Sequence, residues 1–465
     1  ERINHQLNEI DAVTIDDVQR AAKTYLADAN RVSVLVEPSV SGAIGSLFGK
    51  GKDPDDAPGL KAEDDPAPKR TGPKAAAKRP ADFPDKPPAS NPLDDFPIPA
   101  STEKQLANGL KVIVVPNHEV PMVSMMLGVR SGAWTDTSPG VASMTMNMLT
   151  KGTKSRTAKQ LAQTLEFNAI NLSGSAGMDT ANLSASSLDK QRELACELLA
   201  DVVMNPVFPK DEFDILLKQE KVGLLLASET PEYIADRELR RRLYGQHPYA
   251  RTSTGEIEDL GKITLDTMKA WWIANLRPDN CVLYLAGDID DADGFALAEK
   301  HLGKWKLDQP FNPPAIAATP QKQATHIYLV DRPGSVQSQI RVGHVSITRR
   351  DHDFFISRVL GNILGGGFNS RLNKAIRVEK GLTYGARGGF NAQRFSGEFS
   401  VSTFTKTKTT AETVRTILAE LEKLQAAPPT PTELDDTKSF IVGSIPAARE
   451  TRAGAGRQQG MNEHQ

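Results

Sequence analysis

Residues 263–280 read Ile263-Thr264-Leu265-Asp266-Thr267-Met268-Lys269-Ala270-Trp271-Trp272-Ile273-Ala274-Asn275-Leu276-Arg277-Pro278-Asp279-Asn280, and residues 13–30, from Val13-Thr14-Ile15-Asp16 to Asn30, match them without a gap. In the earlier copy Thr14 is suited to N-capping, a helical stretch runs through Tyr25 and Leu26, and the apolar strand Val32-Ser33-Val34-Leu35-Val36 follows. An apolar strand follows the later copy as well. A second echo pairs Phe208-Pro209-Lys210-Asp211-Glu212 and its helix with Thr430-Pro431-Thr432-Glu433-Leu434 and its helix. Two echoes in consistent order predict lobes built on one plan.

Working outward, Asn108-Gly109 is a hairpin-type turn before a strand over Leu110–Val115, and a second strand signal runs from Val120 to Val129. Helical patterns follow near Val141–Leu149, Ala158–Asn168, Lys190–Val203 and Lys210–Ser228. Strands alternate with helices but not in regular βαβ order, which predicts an α+β fold of repeated lobes, each an antiparallel-rich sheet packed with helices. Residues 1–37 read as the tail of a preceding lobe, because one helix and one strand cannot bury a core alone. Residues 98–305 read as a first lobe and 320–465 as a second. Counted from the second echo, that last lobe needs roughly 50 further residues to complete its stacking.

Between the tail and the first lobe, residues 38–97 change character. Twelve of the thirty prolines fall between Pro54 and Pro99, and an acidic patch from Asp53 to Asp65 precedes a basic one from Lys69 to Arg79. Such a Pro/Ala/Lys composition with hardly any aromatics is that of a solvated linker. The whole chain of 465 residues has a net charge of −2 and 25% charged residues, which gives no sign of a nucleic-acid-binding protein. Its mean hydropathy is −0.38, and no apolar run approaches the ~20 residues of a membrane span. Two cysteines, Cys196 and Cys281, are too few for a disulfide framework, although one bridge between them stays open. The chain begins at Glu1 with no basic-then-apolar leader, and so reads as a piece of something longer.

Several short stretches, weak singly and specific in their order and spacing, carry a resemblance. They are Leu106-Ala107-Asn108-Gly109-Leu110-Lys111-Val112-Ile113-Val114, Gly140-Val141-Ala142 with Lys151-Gly152-Thr153, and Tyr244-Gly245-Gln246-His247-Pro248-Tyr249. The pattern continues through Leu360-Gly361, Gly365-Gly366-Gly367 and Ser370-Arg371-Leu372 to Arg377 and Gly381-Leu382-Thr383-Tyr384. In these the chain resembles the pitrilysin/insulinase (M16) metallopeptidase family over nearly everything but the linker. The resemblance implies two α+β lobes per half, and two halves that close around an unfolded peptide.

It also implies a zinc motif, His-x-x-Glu-His, just before Lys151-Gly152-Thr153 in a catalytic half. On a helix, histidines four apart share a face and reach one metal, and the glutamate beside them activates water. Here the matching positions are Ser143, Met146 and Asn147, and the later glutamate ligand, seven residues after Glu220, is replaced by Ala227. A neutral hydroxyl is a poor zinc ligand, an amide carries no charge and alanine offers nothing. A thioether has no useful proton affinity, so Met146 is no base. The sequence therefore predicts no metal and no cofactor in this chain, with zinc expected in a catalytic half. No two of the eight histidines stand four apart; His344 and His352, eight apart beside Asp351 and Asp353, are thin evidence for a replacement site.

What the resemblance retains is Arg377 and Tyr384, standing where the family carries an arginine–tyrosine pair that faces the zinc across the chamber. Arginine offers forked donors to a peptide carbonyl or carboxylate, and a tyrosine hydroxyl can donate to a developing oxyanion. Gly365, Gly366 and Gly367 lack the Lys-Ser/Thr of a phosphate loop, and the resemblance makes them, with Arg371, substrate contacts or chamber-lining groups. The leading expectation is the substrate-binding, catalytically silent half of an M16-type zinc metalloendopeptidase. Its partners would be a catalytic half preceding it in the same polypeptide and an unfolded peptide substrate. A tether of ~60 flexible residues keeps two such halves at high local concentration. The second expectation is a non-proteolytic scaffold or peptide-binding subunit, and the third a self-sufficient hydrolase with an unrelated site. Bacterial members with long Pro/Ala/Lys linkers point to an extracytoplasmic, periplasmic setting.

Overall fold

The computed structural model describes residues 100–306, 311–320 and 324–449. The expected tail at 1–37, the linker at 38–97 and the earlier copy of the first repeat lie outside the described residues. Among the described residues the fold is α+β, with two sheets. The larger is built from β1 (Thr102–Gln105), β2 (Lys111–Pro116), β3 (Met122–Val129), β4 (Asn171–Ala176), β5 (Ala181–Leu188) and β6 (Cys281–Gly287), in the order β1-β2-β6-β3-β5-β4. Only the β2–β6 pair is parallel. Asn108-Gly109 makes the expected tight turn between β1 and β2, with Gly109 at φ 93°, where a side chain would be strained.

The helices are α1 (Val141–Met148), α2 (Ala158–Phe167), α3 (Arg192–Met204), α4 (Lys210–Ser228), α5 (Pro231–Tyr244), the single turn α6 (Ile257–Leu260), α7 (Leu265–Asn275) and α8 (Asp291–Leu302). The four expected helical patterns appear as α1 to α4 within two residues at either end. Local chemistry sets the starts. Thr157 accepts from the Gln160 amide in a reciprocal capping box, worth about 1 kcal/mol, and Thr264 caps α7 by accepting from the Thr267 amide at 3.1 Å. Thr264 is the threonine that the repeat singled out.

β6, the strand after the repeated helix, is the centre of this sheet. All seven of its residues are buried, and with β2 and β3 it packs on α1, α3 and α7 in one apolar core containing Val112, Leu127, Leu283, Met146, Leu199 and Trp271. The ring nitrogen of Trp271 donates to Thr135 Oγ1 at 2.9 Å and that of Trp272 to the Val203 carbonyl at 2.7 Å, so both indoles bury their polar end with a partner. Cys196 and Cys281 are free and buried, and burial pushes both thiols up to about 12.

The smaller sheet is β7 (Gln337–Ser346), β8 (Ala386–Ala392) and β9 (Gly397–Lys406), in the order β7-β9-β8, antiparallel throughout. Helices α9 (Phe354–Gly361), α10 (Thr410–Ala426) and α11 (Pro431–Arg449) pack with it around Ile340, Leu364, Leu372, Ile376, Val401 and Ile417. Helix α5 leaves the larger sheet's neighbours and lies on β7. The Tyr244–Tyr249 stretch ties the two sheets together. Tyr249 OH donates to the Asp179 carboxylate and accepts from the Phe395 amide at 3.3 Å, and His247 Nδ1 accepts from the Tyr249 amide at 3.1 Å. Arg394 donates to the Arg130 carbonyl at 2.9 Å and lies 4.9 Å from the Phe395 ring. Burial lowers the pKa of His247 and raises that of Tyr249.

Candidate functional site

Helix α1 carries Ser143, Met146 and Asn147 on adjacent turns. Its N-terminus is held by Asp136, whose two carboxylate oxygens accept from the Gly140 and Ala142 amides at 2.9 Å each. Burial nonetheless pushes this carboxyl up to about 7. The Met146 side chain is fully buried in the apolar core, and β4 lies so close that a Cβ on Gly174 would stand 2.4 Å from the Met146 carbonyl oxygen. The position of the family's general base thus faces packed side chains. Ser143 is buried, Asn147 half-buried, and Glu220 and Ala227 share a face of α4, which packs on α1. Burial raises the Glu220 pKa with no basic partner acting on it. A hydroxyl, a thioether, an amide and a methyl do not make a zinc site, and this donor set does not fit the metal.

Among the described residues the histidines do not replace it. His344 lies against the Phe399 ring and its Nδ1 is 2.9 Å from the Val345 carbonyl, whereas His352 pairs with its neighbour Asp353 at 3.2 Å. Among the described residues, no three His, Cys, Asp or Glu side chains are grouped to hold a metal.

The retained residues lie around two widened, π-type helical turns, Asn362–Gly366 and Asn373–Glu379, a geometry that is rare and concentrates at functional sites. Arg377 sits on the second, its guanidinium carbon 4.8 Å from the ring centre of Phe368. The chain then turns back: Gly381 and Leu382 amides donate to the Arg377 and Ile376 carbonyls at 3.2 and 2.9 Å, with Gly381 at φ 60°. Tyr384 follows, 79% exposed. Its turn is pinned from beneath, for Thr405 Oγ1 donates to the Leu382 carbonyl at 2.7 Å and Thr403 Oγ1 to the Gly385 carbonyl at 2.9 Å.

One buried side chain that the sequence reading missed joins these pieces. Asn373 donates from Nδ2 to the Gly367 carbonyl and accepts at Oδ1 from the Ala386 amide, both at 2.9 Å. The glycine loop and the Tyr384 turn are thereby held to one helical turn. Nothing in the sequence marked Asn373; Phe368, also missed, could have been found as an aromatic directly after three glycines.

The glycines differ from one another. Gly365 is buried, bridges to Gly388, and a Cβ on it would stand 2.2 Å from the Gly388 amide nitrogen, so its smallness serves packing. Gly366 is exposed and Gly367 half-buried, its carbonyl already accepting from Asn373. Arg371 points elsewhere: its fork meets both oxygens of Glu433 at 2.9 Å, and Glu433 in turn accepts from the Thr430 amide at 2.9 Å. Arg371 holds the Glu433 carboxyl down to about 2. The arginine thus fastens the start of α11, the helix of the second echo.

Residues 111–254 match the family model described as Insulinase (Peptidase family M16), and residues 262–440 match the one described as Peptidase M16 inactive domain. The crystal structure of a peptidase M16 inactive domain from Pseudomonas fluorescens superposes with a TM-score of 0.71 at 30% identity, covering 78% of this chain and 87% of that one. The chain belongs to the M16 family. A non-peptidase homolog, YmxG, from Helicobacter pylori (strain ATCC 700392 / 26695) is 28% identical over 347 residues, 73% of this chain and 78% of that protein. An uncharacterized zinc protease, YmxG, from Bacillus subtilis (strain 168) is 24% identical over 370 residues, 77% and 86% of the two chains. A protease structure from Helicobacter pylori shares the fold at a TM-score of 0.74 and 20% identity, over 79% of this chain and 90% of that one. No helix among the described residues is long and apolar enough to cross a membrane.

Proposed function

We propose that this M16 chain is the catalytically silent, substrate-binding half of a zinc metalloendopeptidase and acts with a catalytic half that holds the zinc. The observation that carries this reading is the contrast between the two M16 sites in one chain. The positions for metal and base hold side chains that cannot serve, while Tyr384 is displayed on a pinned, exposed turn and Arg377, half-buried against Phe368, stands on the helical turn just before it. In the closed enzyme Arg377 would donate to the peptide backbone and Tyr384 to the oxyanion, with the exposed Phe368 ring and Gly366 lining the approach. Closure of the halves would exclude water and complete the site. A periplasmic setting belongs to the same proposal.

Tyr384→Phe in the enzyme assembled with its catalytic half tests it. The expected outcome is a fall in kcat of about 10²-fold with a small change in KM, because a hydroxyl that acts on the oxyanion is felt in the transition state. An unchanged kcat would favour the second reading, a non-proteolytic scaffold or peptide-binding subunit. That reading draws support from the relative named a non-peptidase homolog.

A further inference from the structure

The smaller sheet has two unlike faces. Ala386 and Val401 point into its apolar core, so Arg387 of β8 and Ser402 and Phe404 of β9 point the other way. Helix α5 covers the β7 side of this second face, where its Asp236 takes Arg341 and its Glu232 takes Gln339. On the β8 side Arg387 is exposed and, among the described residues, has no hydrogen bond or ion pair. Glu398, the acidic residue of β9 on this face, stands opposite Asn391, four residues along β8 from Arg387, with Arg240 of α5 acting on it.

The register links Arg387 to Tyr384. Ser402 stands opposite Arg387, and Phe404 follows on the same face with its ring centre 6.4 Å from that of Tyr384. The chain advances three residues from Tyr384 to Arg387, a span of at most roughly 10 Å. The larger sheet holds a neutral version of this place. Among the described residues β4, like β8, is an edge strand that precedes its partner in the chain, and each has a glycine packed against an earlier helical turn. Gly174 lies against Met146 and stands opposite Leu183; Gly388 lies against Gly365 and stands opposite Val401. Counted from these glycines, Arg387 corresponds to Ser173 and Tyr384 to the buried Ile170. The lobe that displays the phenol is therefore also the one that carries the cation.

We propose that Arg387 is a specificity subsite whose guanidinium receives the carboxylate of an aspartate or glutamate in the bound peptide, at the third residue from the bond that Tyr384 attends. This rests on the reading of Tyr384 given above. A peptide lying extended along β8 advances about 3.3 Å per residue, so three residues cover the span from Tyr384 to Arg387. The forked donors of arginine match a carboxylate with two parallel hydrogen bonds, which a neutral amide of the same shape meets without the charge.

The test uses the enzyme assembled with its catalytic half and short peptides cleaved at one bond. One peptide has Gln at the third residue on both sides of that bond, and in two others Glu replaces one Gln or the other. One Glu peptide is expected to show a kcat/KM about fivefold above the Gln peptide, with the gain in KM. The other should gain nothing, because Arg387 lies to one side of Tyr384 only. Arg387→Gln is expected to abolish the difference, and Arg387→Glu to reverse it in favour of a Lys peptide, both with an unchanged Tm because the residue is exposed. Equal cleavage of the Gln and Glu peptides, an equal gain from Glu on both sides, or a Glu preference that survives Arg387→Gln would overturn the proposal. Tyr384→Phe separates it from the reading beneath it, for this variant should lower kcat on all three peptides and leave the Glu preference in place. If kcat does not fall, the catalytic reading fails, and binding of the same peptides, labelled, to the 465-residue chain decides the role of Arg387. Tighter capture of one Glu peptide, lost in Arg387→Gln, supports the subsite; equal capture, or none at about 1 mM, overturns it.

Discussion

The two sheets start from the same plan and end differently. In the larger, a strand buried on both faces sits at the centre, and every neighbour gains a ladder and a core on either side. In the smaller, β7 pairs among the described residues with β9 alone, and Ile327 and Leu329 before it are exposed. The comparison teaches that a lobe's apolar core gathers on its central strand, whereas the smaller sheet carries the exposed candidate residue. The pinned turn bearing Tyr384 belongs to the smaller sheet.

The strongest way to break this comparison is to cut the same amount from each core. Leu283→Ala in β6 is expected to cost about 3–4 kcal/mol, and Ile340→Ala in β7 only about 2, since the edge can relax around the loss. Denaturant titration of both variants checks the difference, and equal losses would erase the distinction. The next effect concerns the capping carboxyl of α1. Asp136 is raised from 3.8 to about 7 in the folded chain, so the stability linked to its proton is full below pH ~4 and lost as pH rises through about 7. A few kcal/mol at most are involved, and Asp136→Asn should flatten that part of the stability–pH curve.

The join between the sheets is probed by Tyr249→Phe. It leaves the Asp179 carboxylate one donor short, and an expected loss of about 1–2 kcal/mol should be read as a lower Tm. The smallest effect sharpens the role of Arg371. Glu433 has a folded pKa of about 2 against an ordinary 4.5, so its pairing stabilises above pH ~4.5 and is lost as pH falls toward about 2. Arg371→Ala should cost about 1 kcal/mol at neutral pH, because the pair is partly solvated, and should flatten the acid limb.

Much of the frame was legible in the residues. Thr264, Asn108-Gly109 and the apolar runs act through contacts a few residues away, so turns, caps and helices followed from local chemistry. β4 and β5 were missed, although Ala181, Leu183 and Ala185 alternate with Asn182, Ser184 and Ser186. Small residues give a faint period, and these become strands because β3 and α3 supply the pairing and the cover. The candidate site was half legible. Arg377 and Tyr384 followed from the resemblance, whereas Asn373 acts through hydrogen bonds to loops six and thirteen residues away.

By itself the sequence determined that this is a chain of repeated α+β lobes whose metal positions lack donors, because side-chain identity alone settles whether a group can bind zinc. Only the tertiary structure decided that Met146 faces a packed core, that Arg371 holds Glu433 rather than standing free, and that Asn373 ties the glycine loop to the Tyr384 turn. Each of these depends on which distant segment comes to lie alongside, and burial, ion pairing and strand pairing are properties of that neighbour as much as of the residue itself.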